Sequence, residues 1–322
     1  MSTPVTTQNL TIHPSSVGIG VDIGGSHISC CAVDLTSGRP IKGTHLDKQV
    51  DRKASKEKIF ETWAIPINQT IQAVNDTSIV GIGCAMPGAF NYREGIALFE
   101  GNDKYESLHN INVKKEFAAY LNLQQPEIRF INDASAFGIG SAWSGVANDY
   151  HKSIALTFGT GIGATFIEAG IPIIDRSDVP PHGSLWHLPF KEGMADDYFS
   201  TRWFVNAYQE RFNAQAIGVK EIANAAQQDP SVQELFDEFG RNLAEFLTPW
   251  LRSFQPELLV LGGNVAKSWF LMEASFQSVL TTQNILLKIM SSALMEEAAL
   301  IGAARLLDDS FWERVKENLP IK

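Results

Sequence analysis

Cysteine is scarce in this chain of 322 residues: there are three, Cys30, Cys31 and Cys84. The first two are neighbours in a predicted strand, where successive side chains point to opposite faces, and no disulfide framework or metal-type spacing joins them. This excludes a stapled secreted scaffold and predicts a reducing, cytoplasmic setting. Basic residues are in deficit as well. Lys and Arg number 26 against 36 Asp and Glu, for a formal charge of −10, a balance that repels nucleic acid and anionic membrane surfaces and predicts neither as a partner. No apolar run is long enough to span a bilayer. The opening stretch, residues 1–16, is rich in Thr, Ser and Pro. It lacks the basic start and apolar core of a secretory signal, and reads as a flexible N-terminal extension. What remains is 44% hydrophobic and 19% charged, the balance of a soluble globular protein with room for two domains and suited to small-molecule chemistry.

Along the chain, Val17–Ile23 is a short apolar run ended by Gly24-Gly25, and His27–Asp34 resumes as a second strand before Ser37-Gly38-Arg39-Pro40 turns into a third. Helical spacing follows at Ile59, Trp63, Ile67, Ile71 and Val74. Ile79–Ala85 is a strand closed by Pro87-Gly88, and Glu127–Ile131 another that ends on Asn132-Asp133 with a helix from Ala134. The opening pattern then returns: Ser153–Phe158, a tight Gly159-Thr160-Gly161 turn, and Ile162–Glu168. Two strand–glycine turn–strand units predict two related α/β domains facing each other. Downstream, Leu235, Phe236, Phe239, Leu243, Phe246, Leu247, Trp250 and Leu251 form the core stripe of a long helix. Leu258–Leu261 is a buried strand ending at Gly262-Gly263-Asn264, and Glu296–Leu307 a last helix.

Four segments could carry chemistry. Gly24 and Gly25, with Ser26, let the backbone take positive φ and approach a ligand, and successive N–H groups there form an anion-binding concavity. Asp22 just before them could hold a hydrated Mg²⁺ beside phosphates; the plain alternative is a hairpin whose Asp caps its own turn. Gly159, Thr160, Gly161 and Gly163 form a second such cradle. Its Gly-x-Gly-x-Gly string is a poor dinucleotide fingerprint, because Ala-Thr-Phe-Ile after it is strand-like. Asn132-Asp133 lies where a strand meets a helix: Asp133 could be the helix cap, or a carboxylate facing a ligand crevice and accepting the proton of an attacking hydroxyl. At Gly262, Gly263 and Asn264 a flat base or ribose could lie against bare backbone. Taken singly, each is ambiguous.

Read in order, these segments resemble the ROK family of sugar kinases and sugar-responsive regulators, within the actin-like ATPase superfamily, over nearly the whole chain beyond the extension. Asp22-Ile-Gly-Gly-Ser-His resembles its first phosphate motif, Pro87-Gly88 with Gly101-Asn102 its sugar loop, and Asn132-Asp133-Ala134 its catalytic strand end. Leu156 to Gly163 resembles the second phosphate motif, Leu261-Gly262-Gly263-Asn264 the adenosine motif, and Ala299 to Ala304 the closing helix. The resemblance implies two actin-like (ribonuclease H-like) α/β domains with an active-site cleft between them, at 17–132 and 133–295, with the final helix at about 296–318 packing back on the first. It implies transfer of the terminal phosphate of ATP, with Mg²⁺, to a hydroxyl, the 6-OH, of glucose or an N-acetylhexosamine. Asp133 would be the base, Asn102, Asn132 and His187 would meet the sugar, and the protein would be a homodimer.

Departures from the family pattern modify this expectation. Many members have Gly-Glu-x-Gly-His where this chain has Gly183-Ser184-Leu185-Trp186-His187, so a short neutral side chain replaces a charged acceptor of sugar hydroxyls. The three-cysteine zinc motif is absent, which predicts no structural zinc. The carboxylate after that motif is matched by Asp196, either a sugar contact or a cap of the following helix. Zinc-lacking relatives include polyphosphate glucokinases, resembled in Leu156 to Gly163 and in Asn102-Asp103-Lys104-Tyr105, so polyphosphate is an alternative donor. A further alternative is a non-catalytic sugar sensor or transcriptional regulator, against which stand the acidic charge and the short stretch before Asp22.

Overall fold

The computed structural model describes residues 16–74, 79–101 and 104–319. Its first sheet starts with an antiparallel hairpin of β1 (Val17–Ile23) and β2 (His27–Asp34). The far edge of β2 carries β3 (Arg39–Pro40) and β4 (Leu46–Gln49). Helix α1 (Lys56–Ala73), capped by Ser55, leads to β5 (Ile79–Met86), which pairs in parallel with β1. A small hairpin of β6 (Phe90–Asn91) and β7 (Ile96–Ala97) and the short α2 (Val113–Phe117) precede β8 (Ile128–Asn132), parallel to β5.

Helix α3 (Asp133–Ser144) crosses to the second sheet, where β9 (Lys152–Phe158), β10 (Ile162–Glu168) and β11 (Ile171–Ile173) form an antiparallel meander. A hairpin of β12 (Pro189–Phe190) and β13 (Gly193–Met194) follows, then α4 (Ala195–Tyr198), α5 (Thr201–Phe212), α6 (Val219–Ala226) and α7 (Pro230–Phe254). Strand β14 (Leu258–Gly262) pairs in parallel with β9. After α8 (Gly263–Ala266) and α9 (Glu273–Thr282), β15 (Lys288–Ser291) pairs in parallel with β14. Helices α10 (Glu297–Arg305) and α11 (Asp309–Val315) end the described chain.

Strand orders β3-β2-β1-β5-β8 and β11-β10-β9-β14-β15 repeat one topology. In each, the first strand of a three-strand meander pairs with one parallel strand, which pairs in turn with a second. The repeated strand–glycine turn–strand units of the sequence are the opening hairpins of these two sheets.

Alternation along β1 decides what lies between the sheets. Val17, Ile19 and Val21 are buried in one cluster with Ile59, Phe60, Trp63 and Ile67 of α1. Gly18 and Gly20 have the opposite parity and face the other side. There α10 lies backbone against backbone: a Cβ on Gly20 would be 2.0 Å from the Leu300 carbonyl oxygen, and one on Gly83 of β5 would be 1.8 Å from that of Ala303. The same helix meets α3 equally closely, since a Cβ on Gly302 would be 1.8 Å from Ala136 O and one on Gly140 would be 1.9 Å from Ala298 O. Helix α3 in turn seats Gly138 on Thr165 of β10. The pair α3–α10 thus forms the layer between the two sheets. Asp22, two residues beyond Gly20, shares the parity that faces this layer.

The outer face of the second sheet is covered by α7. Its Leu235, Phe236, Phe239, Leu243, Phe246, Leu247 and Leu251 are buried with Ile154, Leu156 and Phe158 of β9, while Trp250 is only partly covered. Burial of each such side chain contributes about 1.5–3 kcal/mol. Cys30 belongs to the large core cluster and Cys31 to a smaller one with Leu300 and Ile301, on opposite faces of β2 as the alternation requires.

Candidate active site

The parallel strands of both sheets end where α3 begins. The cap of α3 is Asn132, not Asp133: the Asn132 Oδ1 accepts from the N–H groups of Ala134 (3.1 Å) and Ser135 (3.3 Å). The reading of Asp133 as the helix cap is thereby corrected. With the cap position filled, the Asp133 carboxylate accepts only locally, from Ala134 N–H (2.8 Å) and from Asn132 Nδ2 (2.9 Å), both on Oδ1. The Asn132 amide also reaches the Tyr92 hydroxyl at 3.4 Å, and that hydroxyl donates to the Met86 carbonyl (3.0 Å). Asp133 is exposed to the cleft yet walled by protein on its remaining sides. This loss of bulk water raises its pKa, opposed by the Ala134 N–H, the Lys104 ammonium and the Asn132 amide.

Asp22, at the end of β1, faces it. Burial first, then the negative charges of Asp133 and Glu296, push the Asp22 carboxyl up to about 7. Among the described residues, no side chain or N–H group donates a hydrogen bond to the Asp22 carboxylate. The negative charge of Asp133 thus disfavours the ionised form of Asp22, an effect that a bound cation would relieve.

Both glycine turns lie beside this pair. The first is closed by the Gly24 N–H on the His27 carbonyl (2.9 Å), and the second by the Gly159 N–H on the Gly161 carbonyl (3.0 Å). Neither Gly24, Gly25, Gly159, Gly161 nor Gly163 has a positive φ. The expected left-handed turn is corrected: none of these glycines is needed for its backbone angle, and only some are needed for space. A Cβ on Gly159 would meet nothing within 4 Å, and one on Gly25 only the side chains of Lys104 and Arg52. Gly163 has a packing reason, for its Cβ would lie 2.9 Å from that of Ala134, so its absence lets the start of α3 approach the second turn. Ser26 is exposed, and its carbonyl accepts from Val50 N–H (2.9 Å). Thr160 lies at the tip of the second turn.

Asp196 sits against this second turn. Its Oδ1 accepts from Ile162 N–H (2.9 Å) and its Oδ2 from Arg202 Nη2 (2.9 Å). A Cβ on Gly161 would stand 2.0 Å from Asp196 Oδ1. The turn is held a second time by the Thr201 N–H on Gly159 O (2.9 Å). Ser200, not Asp196, caps α5, its hydroxyl accepting from Trp203 N–H (3.3 Å). Arg202 is absent from the sequence reading because nothing local marks it; it is a partner only through the fold.

His187 is half-buried, with Nδ1 3.4 Å from the Ser184 hydroxyl and the Trp186 ring edge-on at 5.3 Å. Burial, and then the charge of His182, lowers its pKa and keeps the ring neutral. The loop bearing it is tied to Asp196, whose N–H donates to the Trp186 carbonyl (3.1 Å). At the end of β14, Gly262 packs under the Phe137 ring and Gly263, at φ +80°, against the Phe158 backbone. Asn264 starts α8 exposed, its Oδ1 accepting from Lys267 Nζ (2.8 Å). Asn102 lies outside the described residues. The structure thus joins Asp22, Asn132, Asp133 and both turns, and ties Asp196 to the second turn.

Duplicated sheets of this order, with paired helices between them and acidic residues at the strand ends, define a two-domain actin-like ATPase fold. Within it, the profile of the ROK family matches residues 18–310, and the chain belongs to that family. A glucokinase of Thermotoga maritima is 25% identical over 321 residues, spanning 90% of this chain and 97% of its own. An N-acetyl-D-glucosamine kinase of Haemophilus influenzae is 23% identical over 280 residues, 79% of this chain and 86% of its own. Among solved structures, a ROK family glucokinase from Streptomyces griseus in complex with glucose and AMPPNP superposes with a TM-score of 0.73 at 22% identity, covering 90% of this chain and 99% of that one.

Proposed function

We propose that this chain is an ATP-dependent sugar kinase that phosphorylates the 6-hydroxyl of glucose or an N-acetylhexosamine, with Asp133 as general base. The kinase class rests on the family and on relatives that are glucokinases and N-acetylglucosamine kinases. The observation that carries the assignment of the base is the hold on Asp133. Asn132 and the Ala134 N–H fix its Oδ1, which leaves Oδ2 to accept a proton from the cleft. The raised pKa strengthens its carboxylate as a proton acceptor.

Asn132 orients the base, and the two turns present N–H groups to donor phosphates from opposite sheets. His187, neutral, can accept from or donate to a sugar hydroxyl. The residues also fit a magnesium ion. Asp22 is a half-buried carboxylate without a donor among the described residues, next to a like charge, and Mg²⁺ characteristically takes one or two carboxylates and completes its shell with water and phosphate oxygens. Bound there, Mg²⁺ would neutralise charge on the phosphates and offset the Asp22–Asp133 repulsion. Closure of the two sheets' domains would exclude water, which competes with the sugar for the phosphoryl group.

The test is a matrix of ATP, GTP and polyphosphate against glucose, mannose, fructose, N-acetylglucosamine and N-acetylmannosamine, read by sugar phosphate formed. Turnover is expected with ATP and with glucose or an N-acetylhexosamine. Absence of product in every combination would overturn the proposal, and turnover confined to polyphosphate would correct the donor.

A further inference from the structure

Although the chain carries a charge of −10, two cations stand at the first glycine turn, brought there by a network of three segments. Val50 N–H donates to Ser26 O (2.9 Å), which fixes the start of the loop after β4 against the turn. Tyr105 N–H donates to the carbonyl of Arg52 in that loop (3.2 Å), and the Tyr105 hydroxyl donates to the Gly24 carbonyl (2.6 Å). Tyr105 is a rigid anchor, fully buried and edge-on to Trp63 at 5.2 Å. The side chains beside these anchored points cover the face of Gly25. A Cβ there would lie 3.7 Å from Lys104 Cε and 3.8 Å from Arg52 Nη1, with no third neighbouring residue among its nearest atoms. Lys104 is also close enough to Asp133 for its charge to favour the carboxylate.

We infer that Lys104 and Arg52 are a phosphoryl-binding pair, in which Arg52 holds donor phosphate at the first turn and Lys104 contacts the phosphoryl group as it passes to the hydroxyl beside Asp133. The inference rests on the kinase reading above and extends it to two residues outside the glycine turns. Its physical basis is charge. The transferring group carries negative oxygens into a site that already holds Asp22 and Asp133, so a cation must meet it on the opposite side. A planar guanidinium suits a phosphate that stays in place, and a flexible ammonium suits oxygens that move during transfer. In that step the sugar oxygen bonds to the terminal phosphorus and the bond from phosphorus to the departing donor oxygen breaks. The hydroxyl proton passes to Asp133, and Lys104 donates hydrogen bonds without changing its own bonding.

Two measurements test it, on full-length wild type and on Lys104→Met, Lys104→Arg and Arg52→Met, each checked for an unchanged melting temperature. Titration calorimetry with tripolyphosphate in metal-free, low-salt buffer should show binding that Arg52→Met and Lys104→Met each weaken by about tenfold, one lost charge-assisted contact. Steady-state kinetics should show kcat for Lys104→Met down by about 100-fold or more, with sugar KM within about twofold, and Lys104→Arg recovering at least a tenth of wild-type kcat. Unaltered tripolyphosphate binding by both Met variants, or none by wild type, overturns the inference, as does a Lys104→Met effect confined to sugar KM. Lys104-dependent tripolyphosphate binding by a wild type that phosphorylates no sugar would sustain the cation pair and sink the kinase reading. If Lys104→Met does not fold, Lys104→Arg and Arg52→Met carry the same tests.

Discussion

Asn132 caps α3 with its amide oxygen and, through the nitrogen of the same amide, holds Asp133 Oδ1 at 2.9 Å. One side chain therefore ends the strand, starts the helix and orients the Asp133 carboxylate. Asn132→Ala should lose all of these functions, with about 1 kcal/mol of stability gone with the cap and kcat reduced. Asn132→Asp should keep the cap acceptor, and with it the melting temperature, while still losing turnover because a second negative charge replaces the donor to Asp133. Calorimetric melting beside kcat separates the two; equal kcat for wild type and Asn132→Asp would remove the orienting role.

Asp133→Asn removes the proposed proton acceptor but keeps the shape. Turnover should fall by about 10²–10⁴-fold with sugar KM changed far less, because the change acts on the transition state. The same variant relieves Asp22 of a like charge, so the Asp22 pKa should drop below about 7, readable by carboxyl-carbon NMR titration. Retained turnover would dismiss Asp133 as the base.

Asp22 also gives the metal-free protein a pH-dependent stability. Folding raises its pKa from the ordinary 3.8 to about 7, so between those values the folded protein keeps a proton that the unfolded chain has released. Stability must then fall as pH rises through this window. Asp22→Asn should raise the melting temperature at pH 8 by roughly 2–5 °C, have little effect at pH 4, and abolish turnover. A variant no more stable than wild type at pH 8 would show that Asp22 is not under charge stress.

The hold of Asp196 on the second turn predicts a donor-side defect. Asp196→Ala loses the bond to Ile162 N–H and the ion pair with Arg202, and should raise donor KM by about tenfold, the worth of one charge-assisted bond. Asp196→Asn keeps the acceptor for Ile162 and should recover most of that loss. Gly161→Ala, whose Cβ would stand 2.0 Å from Asp196 Oδ1, should behave like Asp196→Ala. A change in sugar KM alone would point instead to the sugar-contact role.

Gly302 tests the layer between the sheets. Its Cβ would come within 1.8 Å of the Ala136 carbonyl oxygen, and two packed backbones have no flexible end to move aside. Gly302→Ala should destabilise by more than about 3 kcal/mol, seen as a collapse of the melting temperature or of soluble yield. A fully stable variant would mean that α3 and α10 can separate at little cost.

Much of the frame was legible in the order of residues. Alternating apolar runs ended by glycine marked β1, β2, β9 and β10, because a two-residue period and a turn residue are local properties. The stripe along α7 was equally plain, except that Trp250 lies at its edge and is only partly covered. The sequence also placed Asp133 at the end of a strand and start of a helix, and the ordered motifs named the family.

Other features were decided by tertiary structure alone. Which of Asn132 and Asp133 caps the helix depends on which side chain turns inward, and either residue type can do so. The glycine turns were expected at positive φ and are not; space for Asp196 and for the start of α3, contributed by other segments of the chain, is what demands Gly161 and Gly163. Asp22 and Asp133 are 111 positions apart in number, yet packing buries Asp22 and brings the Asp133 charge near it, and both raise the Asp22 pKa. Arg202 and Arg52 carry no local signature, and Lys104 was marked only as part of Asn102-Asp103-Lys104-Tyr105, because a charge gains its meaning from what faces it. Local propensity and periodicity determined the elements, and only their packing decided which carboxylate is held, which is repelled and which cations meet the turn.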